Sequence, residues 1–117
     1  MIKVKRIYDQ PRNNDGCRIL VDRLWPRAVS KETARVDLWL RDIAPSDGLR
    51  KWFSHDPKKW KEFQSSYTRE LKQRSDALKQ IKHIEKEKGV VTLLYGAKDE
   101  EHNNAVALKK ILQKQRG

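Results

Sequence analysis

The chain predicts an α/β fold: a small, partly parallel (mixed) sheet flanked by helices. Three observations carry that expectation. Val90-Val91-Thr92-Leu93-Leu94-Tyr95 is apolar on both faces, the pattern of a strand inside a parallel sheet with helices on each side. Two earlier stretches, Ile2–Ile7 and Cys17–Val21, read as further strands. Between them and the strong strand lies a long stretch whose apolar residues follow helical spacing. A chain of 117 residues suits one ordinary domain, 1–117, and is too short for two.

Ile2–Ile7 alternates apolar with basic residues, which predicts a strand with one wet face. Tyr8–Gly16 is dense in turn formers and reads as a loop. Ser30 is a good N-cap for one helical turn. Val36–Leu40 alternates with period two, so it is either a strand or a short helix. Ala44-Pro45-Ser46 opens a helix whose buried side carries Leu49, Trp52 and Phe53. Asp56 as N-cap and Pro57 at the first helical position start the next, with Trp60, Phe63, Tyr67 and Leu71 as its core stripe over about four turns. Ser75-Asp76 recaps the chain, Leu78, Ile81 and Ile84 mark another helix, and Gly89 suits its C-cap. Gly96–Glu101 is a polar loop, and a last helix turns Ala105, Leu108, Ile111 and Leu112 inward.

The formal net charge is +11, unevenly built. Residues 1–56 hold 8 Arg and 4 Lys, whereas residues 57–117 hold 3 Arg and 12 Lys. The lysines fall mostly on amphipathic helices, where a solvated face is the ordinary role. The arginines cluster around loops, and Arg is the better residue for planar capture of carboxylate or phosphate. No apolar run approaches the ~18 residues of a membrane span. The first residues lack the h-region of a signal peptide, and the single cysteine, Cys17, rules out an internal disulfide. A cytoplasmic location is the expectation. Cys17, at a strand start, reads as a small buried residue rather than a nucleophile. No Gly-rich phosphate loop is present, and His55, His83 and His102 show no metal-ligand spacing, so no cofactor or metal follows from the residues.

Three segments could carry chemistry. Asp22, Arg23, Trp25 and Arg27 follow a strand, where α/β proteins bind ligands. Guanidinium forks would hold an anion, the indole would form a wall, and Asp22 would orient a guanidinium. The alternative is structural, with Asp22 paired to an Arg and Trp25 in the core. In Trp52–Pro57, His55 is a candidate acid/base or a helix cap, and Trp52 reads as core. At the end of the strongest strand lie Lys98, Asp99, His102 and Asn103, where a helix N-terminus would meet an anion. Lys98 would hold it, with His102 or Asn103 touching a substrate; alternatively Asp99 caps the helix. The three segments are expected to converge on one side of the sheet.

Several long strings in one order carry a resemblance. They are Asp15-Gly16 with Arg18–Arg27, Trp39–Ser46, Leu49–Phe53 with His55-Asp56-Pro57, and Thr92–Tyr95 with Lys98-Asp99 and His102-Asn103. Over nearly its whole length the chain resembles the YeaO-like family, small bacterial proteins classed as a domain of unknown function. The resemblance implies a bacterial, cytoplasmic α/β domain and supplies no activity, substrate or cofactor. It also marks three departures. Ala28 and Ser54 stand where the family pattern has glycine, and Gly96 stands where alanine is usual. If glycine is needed at 28 for a positive φ, the loop here must relax or strain.

The leading expectation is an Arg-rich polar pocket that binds a small anionic ligand, a nucleotide or phosphorylated metabolite. If it also acts on that ligand, Arg23 and Arg27 are the clamps and His55 or His102 the acid/base, with Asp22 beside them. The competing expectation is a nucleic-acid-binding or accessory module using the basic surface. Oligomeric state is not legible.

Overall fold

The computed structural model describes residues 1–114. Its elements run β1 (Ile2–Arg6), β2 (Cys17–Leu20), α1 (Lys31–Ala34), β3 (Leu38–Trp39), α2 (Asp47–Phe53), α3 (Trp60–Leu71), α4 (Ser75–Lys88), β4 (Val91–Tyr95) and α5 (Asn104–Lys114), with short 3-10 turns between. The strands lie in the order β1-β4-β2-β3 and every pairing is parallel, so the sheet is not mixed. The α/β class is as the sequence indicates. All strands therefore end on the same side.

The central position of β4 explains its composition. It pairs with β1 from Ile2↔Val91 to Arg6↔Tyr95 and with β2 from Cys17↔Val91 to Leu20↔Leu94, and all five of its residues are buried. Alternate residues serve opposite faces. Ile19, Val21, Val91, Leu93 and Tyr95 join the main core with Phe53, Phe63, Tyr67, Leu71, Ile81, Leu108 and Leu112 from the helices. Leu20 and Leu94 face the other way and join Ile7, Ala34 and Val36, with Trp25 and Trp39 packed against them. That second face is closed by one-turn α1 and its neighbouring loop rather than by a long helix. Its remaining part is polar. Arg18, buried, donates from Nη1 to Asp15 at 2.6 Å and from Nε and Nη2 to the Ala34 carbonyl at 3.0 and 2.8 Å. Thr92 donates to the Asp15 carbonyl at 2.6 Å.

Several cap signals act as the sequence implies, but Ser75-Asp76 does not recap the chain: α4 starts at Ser75 behind Arg74, with no side-chain cap bond. Ser30 accepts from the Thr33 N–H, Ser46 from the Leu49 N–H, and Asp56 from the Lys58 N–H ahead of α3. Gly89 ends α4 at φ 82°. The alternating stretch 36–40 resolves as a two-residue edge strand. Trp52 is a correction. It is 40% exposed, with the Lys59 ammonium over its ring at 5.1 Å, because α2 turns only Phe53 fully inward. Cys17 is half-buried with a free thiol, and burial raises its pKa.

Candidate functional site

The carboxyl ends of parallel strands leave a crevice, and connections to the next elements form its walls. Here Tyr8 follows β1, Asp22–Arg27 follow β2, Ala44 and Pro45 follow β3, and Gly96 and Ala97 follow β4. With Arg50, Lys51, Phe53, Ser54, His55, Phe63, Asn103 and Asn104 they enclose a cleft of ≈ 680 Å³. That is within the usual range for a small-molecule site, about 300–1,000 Å³.

Asp22 stands at its floor. Oδ2 accepts from the Gly96 N–H at 2.8 Å, and Oδ1 accepts from Asn104 Nδ2 at 3.1 Å. Asn104 also donates to the Val21 carbonyl at 2.9 Å, and Trp39 Nε1 donates to the Asp22 carbonyl at 2.7 Å. Burial pushes the Asp22 carboxyl above its ordinary pKa, against the pull of Asn104, Gly96 and nearby His55. Thus the carboxylate beside the first residue of α5 belongs to the protein itself. The Val106 N–H is also taken, capped by Asn103 Oδ1 at 2.9 Å. An anion at this helix start, as the sequence suggested, would meet Asp22.

The two central arginines part company. Arg23 donates from Nε to the Pro45 carbonyl at 3.1 Å and from Nη2 to the Ala44 carbonyl at 3.2 Å. It braces the cleft wall. Arg27 is exposed, and its guanidinium has no partner among the described residues. Its main chain is held by the Tyr8 hydroxyl, which donates to the Arg27 carbonyl at 3.1 Å. The loop carries Ala28 at φ 59°. Trp25 lines the cleft but is fixed as structure, donating to the Val29 carbonyl at 2.8 Å and packing edge-on against Trp39.

The opposite rim comes from α2. Lys51 is exposed with no ammonium partner among the described residues, and Arg50 pairs with Asp47 at 3.2 Å. Beyond α2, Ser54 and His55 are successive left-handed residues at φ 45° and 57°. This turn puts His55 on the cleft wall, its ring 6.4 Å from that of Phe53.

Of the residues singled out in the sequence, Asp22, Arg23, Trp25, Arg27, His55 and Asn103 share this cleft, whereas Lys98, Asp99 and His102 do not line it. Asp99 instead ties its own turn, accepting from the Glu101 and His102 N–H groups and contacting His102 Nδ1 at 3.0 Å. His102 packs edge-on against Trp60. Asn103 is buried, donating to the Asp99 carbonyl at 2.9 Å. Sequence reasoning missed Tyr8, Arg50, Lys51, Gly96 and Asn104. It also missed the struts behind the wall. Glu70 accepts from the Ser46 N–H and hydroxyl at 2.8 and 2.5 Å, Tyr67 donates to the Ile43 carbonyl at 2.6 Å, and Arg74 donates to the Ala44 carbonyl at 2.5 Å. A basic pair on a helix opening with a Ser cap was the available signal for Arg50 and Lys51.

Fold and site together define a small parallel α/β domain with a cationic cleft at the strand ends. A family model described as the inactive DUF488-N3 subclade matches residues 1–116, and the chain belongs to that family. YeaO of Escherichia coli is 42% identical over 107 residues, covering 92% of each chain. Uncharacterized proteins of Mycobacterium tuberculosis and Mycobacterium bovis are 36% identical over 111 residues, covering 95% of this chain and 92% of theirs. No solved structure matches the chain significantly.

Proposed function

We propose that this chain, as a single domain of residues 1–117, binds a small anionic ligand, a nucleotide or phosphorylated metabolite, in the strand-end cleft. The observation that carries the reading is the charge of the lining: Arg23, Arg27, Arg50 and Lys51 against Asp22 alone. Arg23 is committed to carbonyls, so Arg27 and Lys51 are the groups offered to a ligand. A guanidinium fork suits a phosphate oxygen pair, and an exposed ammonium adds a point charge.

Binding without turnover is the form of this reading that fits best. The family description contains the word inactive. His102 is turned to Asp99 outside the cleft, which leaves His55 beside Asp22 as the acid/base pair if a reaction occurs. A cytoplasmic location belongs to the same proposal. Among the described residues, no helix is long and apolar enough to cross a membrane.

Thermal-shift titration with nucleoside monophosphates and phosphorylated sugars, against their unphosphorylated forms, tests the proposal. A ligand that binds only the folded state raises its apparent stability by mass action. The expected result is a shift with phosphorylated compounds only, lost in Arg27→Ala and reduced in Lys51→Ala. No shift with any of them overturns it. The net charge of +11 supports the rival reading, a nucleic-acid surface. Binding of short duplex or single-stranded oligonucleotides that weakens steeply with salt, and that Arg27→Ala leaves intact, would favour that reading instead.

A further inference from the structure

Asp22 is the acidic residue at the floor of an otherwise cationic cleft, and its geometry is that of a held acceptor. Gly96 N–H fixes one oxygen and Asn104 Nδ2 the other, one hydrogen bond each. An ionised carboxylate has about four acceptor sites, so about two remain to be filled from the cleft side. Among the described residues, no Arg or Lys of the lining forms an ion pair with it. Arg23 is turned to Ala44 and Pro45, and Arg50 to Asp47. The cleft is therefore bipolar, with free cationic groups at the rim and a fixed acceptor at the floor. A bare anion satisfies the first and is repelled by the second. A molecule with an anion at one end and hydroxyl donors at the other satisfies both.

The position in the fold points the same way. Asp22 lies two residues beyond the carboxyl end of β2 in a parallel sheet. An acidic residue that takes a ribose hydroxyl is a recurring device of parallel nucleotide-binding sheets. We propose that the ligand is a phosphate monoester of a ribose-type sugar, its phosphate against Arg27 and Lys51 and a sugar hydroxyl donating to Asp22. This rests on the anion-binding reading above and adds the requirement for the hydroxyl.

The test is calorimetric titration of the full chain with ribose 5-phosphate, 2-deoxyribose 5-phosphate and inorganic phosphate, repeated on Asp22→Asn. Wild type is expected to favour ribose 5-phosphate over the deoxy compound by roughly tenfold, as for a hydrogen bond to a charged group. In Asp22→Asn that preference falls to within about twofold, while inorganic phosphate binding is kept or improved. If Asp22→Asn fails to fold, as read by circular dichroism, the wild-type preference decides alone. Equal wild-type affinity for the two sugars, with phosphate still bound, overturns the hydroxyl inference and leaves the anion cleft standing. A preference that survives in Asp22→Asn overturns the assignment to Asp22. Absence of binding by all three compounds overturns both proposals.

Discussion

Asp22 accepts a 2.8 Å hydrogen bond from the main-chain N–H of Gly96, joining the loop after β2 to the loop after β4. Gly96 suits this approach. A Cβ at that position would stand 3.2 Å from Asp22 Oδ2 and 3.7 Å from the Pro26 ring. The price of the arrangement is a carboxylate drawn out of water, and burial raises its pKa.

That shift sets the sign of a pH dependence. A carboxyl whose folded pKa lies above its unfolded value, about 3.9 for Asp, favours folding when protonated. Its contribution is fully present below the unfolded pKa and is lost as pH rises through the folded one. Asp22→Asn should therefore gain stability relative to wild type as pH rises from about 4 toward neutrality. The altered hydrogen bonds add an offset that does not depend on pH, so the slope is the readout. Urea denaturation of both proteins at several pH values measures it, and a flat difference would count against the burial argument.

Asp15 has the opposite sign. Burial alone would raise it, but the Arg12 N–H and the Lys5 and Arg18 side chains outweigh burial and hold its pKa below the ordinary value. Its stabilisation is present above the unfolded pKa and is lost as pH falls toward the folded one. Asp15→Asn leaves Arg18 buried without its ionic partner, which should cost about 3–5 kcal/mol near neutral pH. The gap to wild type should hold steady down to about pH 4 and narrow below it. A gap that widens in acid would contradict this account.

Ala28, at φ 59°, and Ser54, at φ 45°, occupy backbone that favours glycine. The left-handed region costs a non-glycine residue about 1–2 kcal/mol, while glycine gives back about 0.5–1 kcal/mol of unfolded-chain entropy. Ala28→Gly and Ser54→Gly should each stabilise the protein by up to about 1 kcal/mol, read as a raised denaturation midpoint with an unchanged m-value. The strain at Ser54 is shared with His55, so Ser54→Gly should also loosen the placement of that ring.

How much of this was legible depended on the range of the signal. Local chemistry was mostly plain: Ser30 and Asp56 cap where their spacing indicates, although Ser75-Asp76 does not, and Phe63, Tyr67 and Leu71 are buried as their helical stripe requires. The doubly apolar β4 revealed a parallel pairing, yet the all-parallel order depends on contacts between residues some 70–90 positions apart, which periodicity does not encode. The site was half legible for the same reason. Strand-end loops announced Asp22–Arg27, but that Arg23 would turn to Ala44 and Pro45 while Arg27 stayed free depended on the distant loop before α2. Lys98, Asp99 and His102 read as a site because they precede a helix, whereas Asp99 uses its oxygens within its own turn. Asn104 carried no signal of its own, since its role exists only once the residues after β2 meet the start of α5.

The division between the two arginines gives the most direct test of the cleft. Arg→Lys keeps the charge and removes the paired donors of the guanidinium. At position 23 those donors reach two different carbonyls, and an ammonium on a flexible stem cannot reproduce both bonds in the same geometry. The Ala44 carbonyl keeps Arg74, so the loss falls mainly on Pro45. Arg23→Lys should cost about 1–3 kcal/mol of stability, while affinity for a phosphorylated ligand, measured on the folded fraction, stays close to wild type. At position 27 the guanidinium has no partner among the described residues, so Arg27→Lys should leave stability within about 0.5 kcal/mol and weaken phosphate-ligand binding by about 1–3 kcal/mol. Denaturation and titration on the same two variants separate the roles. Equal losses of stability would make the whole Val21–Arg27 segment a structural lock and remove Arg27 from the anion site.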